Sequence, residues 1–98
     1  MNEKLENITK TLESLKDKLK EDYRAEIVGV FGSYVRGEEK EGSDLDVLVK
    51  FLEGATLLNL VGLANFLEEK LCLKVDVVPV DTIRREIRGH ILKEAVYV

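Results

Sequence analysis

Leu5, Ile8, Leu12, Leu15 and Leu19 recur at spacings of three and four, with Lys and Glu filling most of the positions between them. That period predicts an amphipathic helix from Glu3 to about Glu21 with one narrow apolar stripe. The stripe is too short for a sustained heptad seam, so it is expected to lie on the domain's own sheet. The pattern then changes. Glu26–Phe31 (EIVGVF) is a short β-branched run that predicts a strand, ended by a turn at Gly32 and Ser33, with a short helix beginning at Ser33. The EEKEG segment is charged and reads as a solvated loop. Asp44–Phe51 (DLDVLVKF) predicts a second strand, Leu57–Leu71 a second helix, and Leu73–Val80 (LKVDVVPV) a third strand. Pro79 sits near the end of that strand, where a residue that cannot donate to a ladder is tolerated. Asp81 and Thr82 are candidate N-caps for a third helix, with Ile83, Ile87 and Ile91 four apart on one side.

The order helix, strand, strand, helix, strand, helix, without internal repeat or linker, predicts a two-layer α/β (α+β) domain with a small sheet and helices packed against it. Its 98 residues are read as one domain, 1–98, with room for one hydrophobic core and none for a separate substrate domain. On the second helix, Leu57, Leu60, Val61, Leu63, Ala64, Leu67 and Leu71 make a broad core face. Leu58 and Phe66 are left beside Asn59, Asn65 and Glu69, either as ordinary exposed apolar residues or as a partner contact.

Composition narrows the function classes. With 45% hydrophobic and 35% charged residues the chain is globular, and no apolar stretch is long enough to span a bilayer. Met1 to Asp22 is charged throughout and does not read as a signal peptide. The lone Cys72 has no second thiol for an internal disulfide, so a reducing cytoplasm is the expected compartment. A net charge of −4, with no basic stripe interleaved with aromatics, argues against direct nucleic-acid binding.

Chemistry concentrates between Gly32 and Asp76. Side chains alternate across a strand, so Asp44 and Asp46 point to one side and Leu45 and Val47 to the other. Two crowded carboxylates raise the pKa of at least one, whereas a divalent cation between them keeps both ionised. Mg²⁺ is the natural candidate, because it takes oxygen ligands and commonly combines one or two carboxylates with substrate phosphate and water. Asp76, polar between Val75 and Val77, joins the pair if the third strand lies beside the second. Taken alone it reads equally well as a solvent-facing residue. Gly32 allows close approach of a ligand to the backbone, and the Ser33 hydroxyl with nearby N–H groups can hold phosphate oxygens. The segment lacks the Gly-Lys-Ser/Thr ending of a P-loop. Each piece alone is weak, but Gly-Ser, ten residues, then DxD is a specific combination.

GSYVRGEEKEGSDLDVLV resembles the GSx10DxD motif of the DNA polymerase beta nucleotidyltransferase superfamily, and the whole chain looks like its minimal nucleotidyltransferase branch, the MntA-like antitoxins. The resemblance runs from the leading helix through GSxxRG and SDLD to the ending IRGHILKEAVYV. It implies a nucleotidyltransferase fold with a small mixed sheet, in which Asp44 and Asp46 bind two Mg²⁺ ions and Asp76 completes the catalytic site. It also implies that Gly32 and Ser33 hold the triphosphate of ATP, and that the partner is a HEPN-domain toxin silenced by transfer of AMP to its tyrosines. Arg36 reads equally as a ligand of phosphate oxygens or as a brace for the acidic loop.

The expected function is a Mg²⁺-dependent protein adenylyltransferase acting as an antitoxin. The alternatives are an antitoxin that works by binding alone and a transferase acting on a small molecule, although the latter usually needs an additional domain for its acceptor. His90, the only histidine, has no neighbouring ligand type and is not expected to bind metal. Tyr23 and Tyr34 read as packing or rim residues. Arg84, Arg85 and Arg88 read as a solvated basic cluster, or as a contact for an acidic partner.

Overall fold

A computed structural model describes residues 2–98. The first helix, α1 (Glu3–Tyr23), starts where the Asn2 side chain accepts the Leu5 N–H at 2.7 Å, and it ends at Arg24 in the left-handed conformation. Its Leu5, Ile8, Leu12 and Leu19 are buried, as the period requires, and Leu15 packs at the margin. Then come β1 (Ala25–Phe31), the single-turn helix α2 (Ser33–Arg36), β2 (Leu45–Phe51), α3 (Leu57–Leu71), β3 (Val75–Pro79), a 3₁₀ turn (Val80–Thr82), α4 (Arg85–Glu94) and β4 (Val96–Tyr97).

The four strands form one mixed sheet in the order β3-β2-β1-β4. β2 runs parallel to β3, while β1 is antiparallel to both β2 and β4. Leu45, Val47 and Val49 of β2 and Val75 of β3 are buried together with the α1 stripe and with Leu63 and Leu67 of α3, so the core lies between the sheet and these two helices. Asp46 alternates with those residues and belongs to the opposite face. This is the two-layer α/β arrangement the element order predicts. Among the described residues no helix is long and apolar enough to cross a membrane.

The structure corrects five details. β2 starts at Leu45, so Asp44 precedes the strand, and β3 is shorter than its apolar run, spanning Val75–Pro79. Neither Asp81 nor Thr82 caps the third long helix. They lie in the 3₁₀ turn, where the Thr82 hydroxyl bonds the Pro79 carbonyl at 2.8 Å; Ile83 is extended and buried, and α4 begins only at Arg85. The faces of α3 are also shifted. Leu57 and Val61 are exposed beside Leu58, whereas Phe66 packs under Tyr23 with ring centroids 5.4 Å apart. The first turn of α3 stands over the ends of β2 and β3 and leaves an open cleft lined by Phe51, Leu60, Val77 and Pro79. Finally, β4 had no counterpart in the sequence pattern, and Gly29 is what admits it. A Cβ at Gly29 would collide with the Val96 carbonyl.

Candidate active site

The parallel register of β2 and β3 sets Asp46 directly opposite Asp76, and on its other side Asp46 lies opposite Phe31, the last residue of β1. Residues in register on neighbouring strands project from the same face, so the two carboxyls share the side of the sheet away from the core. Asp44 adds its charge from just before β2. Asp44 and Asp76 are exposed, and Asp46 is half-buried. The Asp46 carboxyl is raised to about 6, first by burial, then by the charges of Asp76 and Asp44; Arg36 opposes the rise, and a hydrogen bond with Asp76 adds to it.

Gly32 closes the site from the β1 side. Its φ of 83° lies in the region that favours glycine, and a Cβ there would run into the Asp46 carboxylate. The absence of a side chain therefore lets the turn sit directly against Asp46. Ser33 follows at the first position of α2, and its carbonyl receives the Glu38 N–H at 2.9 Å. Arg36, at the end of α2, donates from Nε to Glu38 at 2.7 Å and from Nη1 to Glu94 at 2.9 Å. In this structure it braces the acidic loop and joins it to α4.

Glu94 is the site-adjacent residue that sequence reasoning missed. Its Oε1 accepts both the Arg36 guanidinium and the Gly32 backbone N–H, each at 2.9 Å, and its side chain is only 18% exposed. In IRGHILKEAVYV it is indistinguishable from any acid at a helix end. The available signal was its pairing distance from β1, which requires knowing that β4 exists.

The other candidates lie elsewhere or serve packing. Tyr34 is buried in the core and Tyr23 covers Phe66. His90 is exposed, with Nε2 3.8 Å from Glu94 Oε2. Arg84 and Arg85 are solvated, whereas Arg88 folds back to donate to the Ile83 carbonyl at 2.9 Å, so the three do not form one basic face.

The donor set suits a hard cation. Among the described residues no group of three or more His, Cys, Asp or Glu side chains is drawn together as a ready cage. What the strands supply is a close pair, Asp46 and Asp76, with Asp44 at the rim, all oxygen donors whose mutual repulsion a divalent cation would relieve. Such a partial set matches Mg²⁺, which completes its shell with water and substrate phosphate.

Residues 8–98 match the family described as the nucleotidyltransferase domain. The protein adenylyltransferase MntA of Thermococcus cleftensis is 45% identical over 94 residues, covering 96% of this chain and 95% of that protein. A solved structure described as a candidate minimal nucleotidyltransferase superposes with a TM-score of 0.80 at 39% identity, covering 96% of this chain and 95% of the other. A toxin–antitoxin crystal structure with AMP-PNP shares the fold, with a TM-score of 0.67 at 23% identity over 87% of this chain and 70% of that one.

Proposed function

The chain belongs to the nucleotidyltransferase domain family, and on that premise we propose that it is a Mg²⁺-dependent protein adenylyltransferase that moves AMP from ATP to a tyrosine of a HEPN-domain toxin and so acts as its antitoxin. The observation that carries this reading is the pairing of Asp46 with Asp76 across β2 and β3, with the charge of Asp44 near enough to act on Asp46, against a turn whose glycine leaves room beside Asp46. The likeness to an MntA adenylyltransferase supports a protein acceptor, and the toxin–antitoxin neighbour supports the kind of partner.

In the proposed reaction the acceptor hydroxyl oxygen bonds to the α-phosphorus of ATP as the bond from that phosphorus to the pyrophosphate oxygen breaks. The hydroxyl proton passes to Asp76, and pyrophosphate departs. Asp44 and Asp46, with Asp76, would hold two Mg²⁺ ions, whose chemistry would be to neutralise the charge that builds on the phosphate oxygens. Ser33 holds the triphosphate through its hydroxyl and backbone. The Gly32 N–H is already engaged by Glu94, so Gly32 contributes close approach rather than a free donor. Arg36, aimed away at Glu38 and Glu94, reaches phosphate only by leaving one of them.

Titration calorimetry with and without a chelator tests the assignment. Carboxylates facing a triphosphate repel it when no cation intervenes, so ATP affinity should collapse in the chelated sample. Equal affinities would remove the metal from the site.

A further inference from the structure

The edge between β1 and β4 pairs Gly29 with Tyr97 and Val30 with Val96, and the Val98 N–H reaches the Val28 carbonyl at 3.1 Å. Backbone groups of alternate residues face a given neighbour in an antiparallel ladder, so after Val28 and Val30 the next to face this edge is Gly32. Its opposite number by the same register is Glu94. There the chain is no longer a strand, because Glu94 is the last residue of α4. The side chain answers in place of the backbone: Glu94 Oε1 takes the Gly32 N–H where a ladder carbonyl would have done so. The same oxygen takes Arg36, so one largely shielded carboxylate holds α2 at both ends.

We propose that Glu94 is a positioning residue for nucleotide transfer, fixing the Gly32 turn against Asp46 so that Ser33 is presented to the triphosphate. The proposal rests on the reading of Gly32 and Ser33 as the triphosphate-holding turn. Glu94 touches neither substrate nor metal in this role; it acts through Gly32. Without it the Gly32 N–H would lose its partner and Arg36 would keep only the exposed Glu38. The turn, free to rotate about a glycine, would then lose its fixed distance to the carboxylates.

The test compares the parent with Glu94→Ala, Glu94→Asp and Glu94→Gln by two readouts: amide exchange at Gly32 in the metal-free, nucleotide-free protein, and KM and kcat for ATP in the transfer assay. Glu94→Asp keeps the charge but withdraws it by about one carbon–carbon bond, ~1.5 Å. It remains informative if the alanine variant fails to fold at the assay temperature. Both variants should speed Gly32 exchange and raise the KM for ATP about tenfold, the equivalent of one charge-assisted hydrogen bond, with a smaller effect on kcat. Glu94→Gln, which keeps an oxygen at that reach but not the charge, should recover part of both losses, more than Glu94→Asp does. A purely structural role would lower the melting temperature and leave KM alone. Unmoved exchange and KM in the Ala and Asp variants, or a KM that falls because the carboxylate had been competing with phosphate, would overturn the proposal while an active parent keeps the transferase reading. A parent that transfers nothing would bring down that reading and this role together.

Discussion

Asp46 carries the sharpest consequence of the arrangement, because its carboxyl is raised to about 6 where an unfolded aspartate ionises near 4. Between those values the folded chain holds a proton that the unfolded chain has lost, so stability falls as pH rises through that window. The full deficit is present above about pH 6 and absent below about pH 4. Asp46→Asn removes it, and in chelator the variant should exceed the parent at pH 7 by about 1 kcal/mol, a figure discounted for the half exposure of the group. At pH 4 the two should melt alike. Thermal melts at both pH values check this, and a variant no more stable than its parent at pH 7 would contradict the account. The double change Asp44→Asn with Asp46→Asn should abolish transfer while leaving the fold intact, as read by circular dichroism beside a nucleotide-transfer assay. Gly32→Ala adds backbone strain at positive φ and a methyl group against Asp46, so it should cost about 1–3 kcal/mol and most of the activity.

The elements divide by what encodes them. The α1 stripe and the apolar runs of β2 and β3 were legible because burial on one face imposes a period, and the face of Asp46 was legible because a strand has a period of two; Asp44 precedes the strand, so that period does not place it. The faces of α3 were not, because neighbours rather than period decide coverage: Tyr23 covers Phe66, whereas Leu57 stays exposed. The start of α4 was misplaced because Ile83 gains more by burial in an extended segment than by continuing a helix from Asp81. β4 was invisible because Val96–Tyr97 is too short for a pattern and exists through its register with β1. Glu94 was lost with it, along with the restraint it places on the Gly32 turn. Gly29→Ala should therefore release β4 first. Amide exchange should accelerate at Val96 and Val98 before the β1–β2 ladder loosens, and equal protection along both edges would argue against this hierarchy.

At the scale of the whole molecule, α1 and α3 cover one face of the sheet, while Asp46 and Asp76 at the strand ends of the other face, and Asp44 beside them, stay half-exposed or exposed to an approaching acceptor. The chain carries a net charge of −4, so a cation bound at its carboxylates, as proposed, would also lower the barrier to an anionic nucleotide. The reading as an enzyme differs in stoichiometry from neutralisation by complex formation, since a covalent mark outlasts the encounter that made it and a complex does not. The intact mass of the cognate toxin, measured after incubation with a trace of this chain, ATP and Mg²⁺, tests that distinction most directly. Most toxin molecules should gain the mass of an AMP moiety and stay inactive on dilution, and Asp76→Asn should bind the toxin without marking it. Toxin of unchanged mass, protected only at near-equal amounts of the parent and equally well by Asp76→Asn, would contradict the reading as an enzyme.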